Sequence, residues 1–380
     1  MSQQNTTKKT LPLQNVKILD LSRILAGPLA GMILGDLGAD VIKIERPGSG
    51  DETRGWGPPF DARGESAYFL STNRNKLSVV ADLANAEDRA LLERLIGESD
   101  VVLENFRPGT LERHGLDARV LLAKHPRVIW CTITGFGADS ARAGYDAVVQ
   151  AESGWMAITG PADGAPSKIG VALADVMAGK DAAIAILAAL AGNRRGERHL
   201  VISLLHSATA ALVNVAQNAL VTGEEPRRWG NAHPNLVPYQ TFDASDRPLV
   251  IAVGSDAQFA ACAAALGLSD LARDAALRTN AGRVAARERV AAAIAARVAT
   301  RTADEWRDAL DAAGVPCGVV KPVLEALRAV GASALTGVAP QGDAAVRFPP
   351  PTLDAHGAAV RAEGWAAFVR VRAETRGGSP

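Results

Sequence analysis

Apolar residues along the first third of the chain arrive in short runs separated by polar, helix-forming stretches. "NVKILDLS" reads as a buried strand over Val16 to Leu21. "GPLAGMILGDLGA" reads as a short helix stopped by Gly38, because glycine adopts the left-handed conformation that ends helices. "DVIKIERP" follows as a second strand closed by Pro47. Strand, helix and strand in this order make a βαβ unit, which goes with a parallel sheet. The alternation continues through "KLSVVADL", "AEDRALLERLIGES", "DVVLENF", "LDARVLLAKH" and "RVIWCTITGFG". The pattern predicts a doubly wound α/β domain through about residue 135.

Helical patterning dominates the middle. Val176 to Ala191 and Ser207 to Val221 read as helices flanking a strand, "HLVISLL". The turn-rich stretch "TGEEPRRWGNAHPNLVPYQTF" follows, and a loop this long in a compact protein is functional or interdomain. After one more strand, "RPLVIAVG", the region from Ser255 to about Leu327 is mostly helical. The expected division is a large Rossmann-like α/β domain over 1–222, completed by 330–380, and a smaller α+β domain over 223–329.

Composition narrows the function classes. Lys plus Arg equals Asp plus Glu, at 41 each, so no basic excess points to nucleic acid or an anionic membrane. Cys131, Cys262 and Cys317 are widely spaced and odd in number, against a disulfide framework or a thiolate metal site. With a polar "MSQQNTTKKT" start and no apolar run of membrane-spanning length, the expectation is a cytoplasmic protein. The six His show no ligand spacing, so no metal site is expected.

The dinucleotide glycine fingerprint is absent from the first βα turn, "DLSRILAGP", as are the P-loop, HExxH and GxSxG motifs. A nucleotide still fits at the carboxyl ends of the strands. Arg46 ends the second strand, where a dinucleotide fold meets the adenosine ribose. An Arg there suits a ribose phosphate, as in coenzyme A or NADP, while a plain surface Arg beside Pro47 is the equal alternative. In "ENFRPGTLERHG", Asn105, Arg107 and Arg113 can clamp phosphates, but spacing alone favours a solvated loop. Tyr145 and Asp146 open a helix, where Asp146 can cap and Tyr145 can pack or overlie a pocket. Asp175, in "KIGVALADVMAG", precedes an apolar helix. Spacing alone favours a helix cap over catalysis, and the helix N-terminus is expected to keep its carboxylate ionised in an apolar setting.

The opening "VKILDLSRILAGPLAGMILGDLGADVIKIERPGSGDETR" resembles family III CoA-transferases, the group of formyl-CoA transferase and L-carnitine CoA-transferase. The likeness extends through "NRNKLSVV", "VLENFRPGTLERHGL", "AGYDAVVQAESGWM", "KIGVALADVMAG" and "GNAHPNLVPYQTF", roughly Val16 to Val320. "RAGYDAVVQA" and "RRWGNAHPNLVPYQ" are most similar to the succinate–hydroxymethylglutarate branch. The resemblance implies that Asp175 is the catalytic carboxylate, passing through an aspartyl mixed anhydride and an aspartyl-CoA thioester. It implies that Leu25, Ala26, Arg46, Asn105, Phe106, Arg107, Arg113 and Tyr145 contact coenzyme A. It places Gly230, Asn231 and His233 in a substrate or lid loop, which here lacks the family's glycine run. The resemblance implies as partners an acyl-CoA, a small carboxylic acid of the short dicarboxylic kind, and a second copy of the chain in an interlocked homodimer. The alternatives within this fold are an acyl-CoA racemase, disfavoured by Tyr145 where racemases carry His, and a non-catalytic CoA-binding dimer. The tail departs from the family: Val320 to Arg347 is short, and "LDAH" carries Asp354 where relatives have Gly.

Overall fold

A computed structural model describes residues 10–192 and 198–377. They divide into two compact units. The first holds residues 10–156, 168–224 and 330–377, and the second holds Ala157–Ser167 and Glu225–Ala329. The segment Ala157–Ser167 therefore belongs with the second unit, where the sequence pattern had kept it with the first.

The first unit is built on six parallel strands: β1 (Lys17–Asp20), β2 (Asp40–Glu45), β3 (Lys76–Val80), β4 (Val101–Glu104), β5 (Ile129–Thr134) and β6 (His199–Ser203). Their order is β3-β2-β1-β4-β5-β6, so the chain reverses direction across the sheet between β1 and β4. A crevice opens at that switch point, beyond the carboxyl ends of the strands. Alternate strand residues feed two cores, as a sheet covered on both faces requires. Leu19, Ile42, Leu77 and Val102 meet the Ala86–Glu98 helix on one face, and Ile18, Val41, Val101 and Ile129 meet the Ala26–Asp36 and Leu173–Ala191 helices on the other. The Ala86–Glu98 helix starts where Asn85 accepts the Glu87 and Asp88 N–H groups. Gly38, at φ 112°, ends the Ala26–Asp36 helix as expected.

Gly179 lets the two helices on the second face come together at their N-terminal ends. A Cβ there would lie 2.6 Å from the Ala26 carbonyl oxygen, so a side chain would push the helix bearing Asp175 away from the first βα turn. The helix expected over Ser207 to Val221 is two, Leu204–Ala210 and Val213–Thr222, bent by 76°. Val213, with φ at 42°, sits at the break.

Charged residues run through the strand ends, which hydrophobic patterning does not foresee. Lys76 and Asp20 are fully buried and paired at 2.9 Å, as are Lys43 and Asp51. Lys43 also donates to the Ser22 carbonyl at 2.8 Å, and Lys76 to the Pro28 carbonyl at 2.8 Å. Burial pushes the Lys76 ammonium down to about 8 against the pull of Asp20. Burial would raise Asp51, but Lys43 and the Thr53 N–H hold its carboxyl at about 2. These buried ions grip the first βα turn from below.

The C-terminal tail docks along β3. Asn75 N–H donates to the Phe348 carbonyl, His356 N–H to the Ser78 carbonyl, and Val80 N–H to Asp354 Oδ1 at 2.8 Å. Asp354 has φ 58°, the left-handed conformation that suits glycine and that Asp also tolerates. Asp354 is thus accommodated in this conformation, and its carboxylate is used as an acceptor.

The second unit carries an antiparallel sheet, β7 (Tyr239–Asp243), β8 (Pro248–Ala252) and β9 (Cys317–Val319), in the order β7-β8-β9. Helices including Asp256–Ala265, Arg287–Val298 and Ala303–Ala312 pack around buried Trp306 and Phe259. The strands β7 and β9 were not foreseen. "YQTF" continues a turn-rich loop and "CGV" is too short to show alternation.

Candidate active site

Two turns meet at the switch point, one after β1 and one after β4. Asn105 ties them together: its Oδ1 accepts the Arg23 N–H at 2.9 Å and its Nδ2 donates to the Arg23 carbonyl at 2.7 Å. One donor and one acceptor position of its amide thus hold backbone, while the residue also lines the cleft over these turns. Ile24 follows with φ 72°, a strained conformation for a β-branched residue. Its N–H faces Asp51 Oδ1 at 3.3 Å. Strain of this kind persists only where surroundings over-determine it, and the Lys43–Asp51 pair supplies that support.

An open cleft of about 440 Å³ lies over these turns. It brings together Ala26, Asn105, Phe106, Arg107, Tyr145 and Asp175. Leu25 is the residue preceding the Ala26–Asp36 helix, and its neighbours Ile24 and Ala26 line the cleft in its place. Arg107 and Tyr145 are exposed. A second recess of about 220 Å³ adjoins, sharing Arg23 and Phe106 with the first. It is lined by Arg46 and His114 around apolar Ile44, Leu83 and Leu111. Arg46 donates to Ser49 Oγ at 2.7 Å and lies 3.5 Å from Glu52. Arg113 is exposed on the Glu112–His114 turn and lines neither recess. Gly230, Asn231 and His233 belong to the second unit.

Asp175 is not a helix cap. Ala172 occupies that position, and Asp175 is the third residue of the Leu173–Ala191 helix, half-buried within its first turn. The capping role falls to Asp146. Its Oδ1 accepts the Ala174 N–H at 2.8 Å, and its Oδ2 accepts from Gln150 Nε2 at 2.7 Å. Gln150, fully buried, in turn accepts the Ile169 N–H at 2.8 Å. One short helix, Asp146–Glu152, thus fixes the entry of another.

The electrostatics also differ from the sequence expectation. Burial, and then the negative charge of Asp146, push the Asp175 carboxyl up to about 7. The same burial, with the charges of Asp175 and Asp146, raises the Tyr68 phenol. Tyr68 meets Trp56 edge-on, with ring centroids 5.1 Å apart, and Trp56 lines the cleft. A weakly solvated carboxylate poised near neutrality can act as a nucleophile or a base. For the role that the family resemblance implies, a carboxylate that must be ionised to react, the expected outcome is a kcat/KM that rises with pH through about 7. Asp146→Asn keeps an oxygen to accept the Ala174 N–H and removes the charge. The acid limb of its pH profile moves down by about one unit; an unmoved limb would show that Asp146 does not tune Asp175.

Sequence reasoning missed Arg23, Trp56 and Arg142, all of which line the cleft. Trp56 had a readable signal, an aromatic in the Gly- and Pro-rich "RGWGPPF" stretch just beyond a strand end. Arg23 and Arg142 had none, because partners such as Glu52 and Glu152 are remote in sequence.

A Rossmann-type sheet with a near-neutral carboxylate at its switch-point cleft defines an α/β enzyme built for a nucleotide-linked substrate. The chain belongs to CoA-transferase family III, whose model matches residues 13–364. It is 45% identical over 314 residues to the succinyl-CoA:glutarate CoA-transferase of Mus musculus, covering 81% of this chain and 72% of that protein. It is 43% identical over 324 residues to the succinate–glutarate CoA-transferase of Agrobacterium fabrum, covering 83% of this chain and 81% of that protein. A crystal structure of a CaiB/BaiF family protein from Brucella suis matches with a TM-score of 0.84 at 42% identity, covering 93% of this chain and 99% of that one. The protein is accordingly a CoA-transferase, and acyl-CoA is its substrate.

Proposed function

We propose that this enzyme moves CoA between succinyl-CoA and a short dicarboxylic acid such as glutarate, with Asp175 as the carrier. The observation that carries the reading is the half-buried Asp175 carboxylate, hydrogen-bonded to no described residue, in a cleft beside the Arg46 recess. The relatives named for succinyl-CoA and glutarate support the choice of acids.

The Asp175 carboxylate attacks the thioester carbonyl, and CoA leaves as a thiolate, giving a mixed anhydride. The thiolate then attacks the aspartyl carbonyl and expels the donor acid, leaving CoA on Asp175 as a thioester. The acceptor carboxylate repeats both exchanges in reverse and regenerates Asp175. One thioester replaces another, so the cycle closes without an external energy source. The apolar walls of the smaller recess suit an adenine ring, and Arg46 at its rim suits the ribose phosphate. Arg23 and Phe106, common to both recesses, lie where the CoA chain would pass between them. A cytoplasmic homodimer belongs to the same reading.

The test is a mass-spectrometric exchange assay in deuterated water. Succinyl-CoA and glutarate give glutaryl-CoA and succinate, with no deuterium entering the α-position of the thioester. Deuterium uptake without an acceptor acid would establish a racemase instead. CoA binding with no exchange against any carboxylate would establish a binding protein.

A further inference from the structure

Adjacent Arg227 and Arg228 have opposite fates in the second unit. Arg228 spends its guanidinium on backbone, donating to the carbonyls of Ala157 at 3.2 Å, Pro161 at 3.3 Å and Gly164 at 2.8 Å. Arg227 lies over the Trp229 ring, 3.7 Å from its centroid, and makes no hydrogen bond or ion pair with any described residue. Arg287 approaches the same ring at 4.7 Å and donates to the carbonyls of His233 at 2.9 Å and Pro234 at 2.6 Å.

Two guanidinium groups thus share one indole, and neither pairs with a carboxylate among the described residues. Arg297 and Arg301 also share one ring, but that ring is the fully buried Trp306 of the core, whereas Trp229 is only half-buried and Arg227 is exposed. Several other arginines are matched by carboxylates instead. Arg54 is matched by Glu45 and Glu65, Arg74 by Asp36, Arg247 by Asp304 and Arg283 by Asp256. Burial, and then the charge of Arg227, lower the affinity of the Arg287 guanidinium for its proton. An indole face attracts a single cation, but it does not cancel the repulsion of a second. A third polar group stands on the same loop. The His233 ring stacks on Tyr239 at 5.1 Å, and its Nδ1 accepts the Asn235 N–H at 3.0 Å, which leaves Nε2 to carry the ring proton.

We propose that Arg227, Trp229 and Arg287 form a carboxylate-binding cradle in the second unit, and that its ligand is a carboxylate of the free dicarboxylic acid. The planar guanidinium fork matches a carboxylate in two-point geometry, and an anion supplies the charge the cluster lacks. The choice of ligand rests on the dicarboxylate reading given above. A phosphate of CoA shares the oxyanion chemistry, and the experiment separates the two.

Arg227 is the residue to change, because it holds no backbone carbonyl and its loss leaves the Arg287 and Arg228 anchors in place. Glutarate and, separately, inorganic phosphate are titrated calorimetrically into the CoA-free full-length enzyme and its Arg227→Met and Arg227→Lys variants. In turnover with succinyl-CoA, KM is measured for each substrate. The expected result is glutarate binding weakened about tenfold in Arg227→Met and partly restored in Arg227→Lys. KM for glutarate rises in parallel and KM for succinyl-CoA stays within about twofold. The proposal is overturned if wild type binds no glutarate, if the variants bind it equally well, or if only phosphate binding and KM for succinyl-CoA change. Glutarate binding that depends on Arg227, in an enzyme that transfers no CoA to glutarate, would uphold the cradle and overturn the substrate assignment.

Discussion

Asp175→Asn lowers the rate of CoA transfer by about a thousandfold or more, equivalent to about 4 kcal/mol of barrier. Asparagine preserves the shape of the side chain but is too weak a nucleophile to open a thioester. The same substitution stabilises the protein at alkaline pH. The folded-state value of about 7 lies above the ordinary 3.8, so the folded chain binds a proton that the unfolded chain has released between those limits. Stability contributed by the protonated form is therefore full below about pH 4 and lost as pH rises through about 7. Asparagine carries no such penalty, so the variant gains over wild type as pH rises, by no more than about 2 kcal/mol for a partly solvated group. Melting temperatures at pH 5 and pH 8, with transfer rates on the same samples, check both halves. Hydroxylamine added during turnover marks Asp175 in wild type only. Wild-type transfer rates in the variant would remove Asp175 from the mechanism.

Lys76→Met destabilises the fold by about 3–5 kcal/mol, because it strands the fully buried Asp20 carboxylate. The ammonium also serves the Asn73 side chain at 2.9 Å and the Pro28 carbonyl, and methionine satisfies neither. Asp20→Asn combined with Lys76→Met recovers part of the loss, since it removes the unpaired charge. Urea midpoints of the single and double variants measure the coupling. A loss below about 1 kcal/mol in the single variant would show that water reaches Asp20. Because the Lys76 and Lys43 pairs brace the turn carrying Ile24, the single variant also binds CoA more weakly.

These two residues show what the sequence conveys and what it hides. The strand–helix alternation through β5 was legible because a parallel sheet imposes continuous apolar runs, and Gly38 and Asn85 mark helix ends by local chemistry. Lys43 and Lys76 interrupt those runs, and no local rule says that their partners arrive from Asp51 and Asp20. The reactive role proposed for Asp175 comes only from the resemblance of its segment to a family, since spacing alone favours a cap. Its place in the helix was misread because the acceptor for the helix entrance comes from Asp146, far upstream. Asn105 is a CoA contact only by the same resemblance, and its tie to backbone was hidden because its partner, Arg23, lies on another turn. Arg227 and Arg228 are indistinguishable as letters, and only the carbonyls around Arg228 separate an anchor from a free cation.

The tail on β3 has a consequence for solubility. An outermost strand offers a row of amides and carbonyls to any other strand of similar length. Here the Ser78 and Val80 positions are already engaged by His356 and by the Asp354 carboxylate. A negatively charged side chain bonded into the ladder both fills the vacancy and repels an approaching chain. Asp354 therefore stands as a gatekeeper at this edge, against growth of the sheet across molecules.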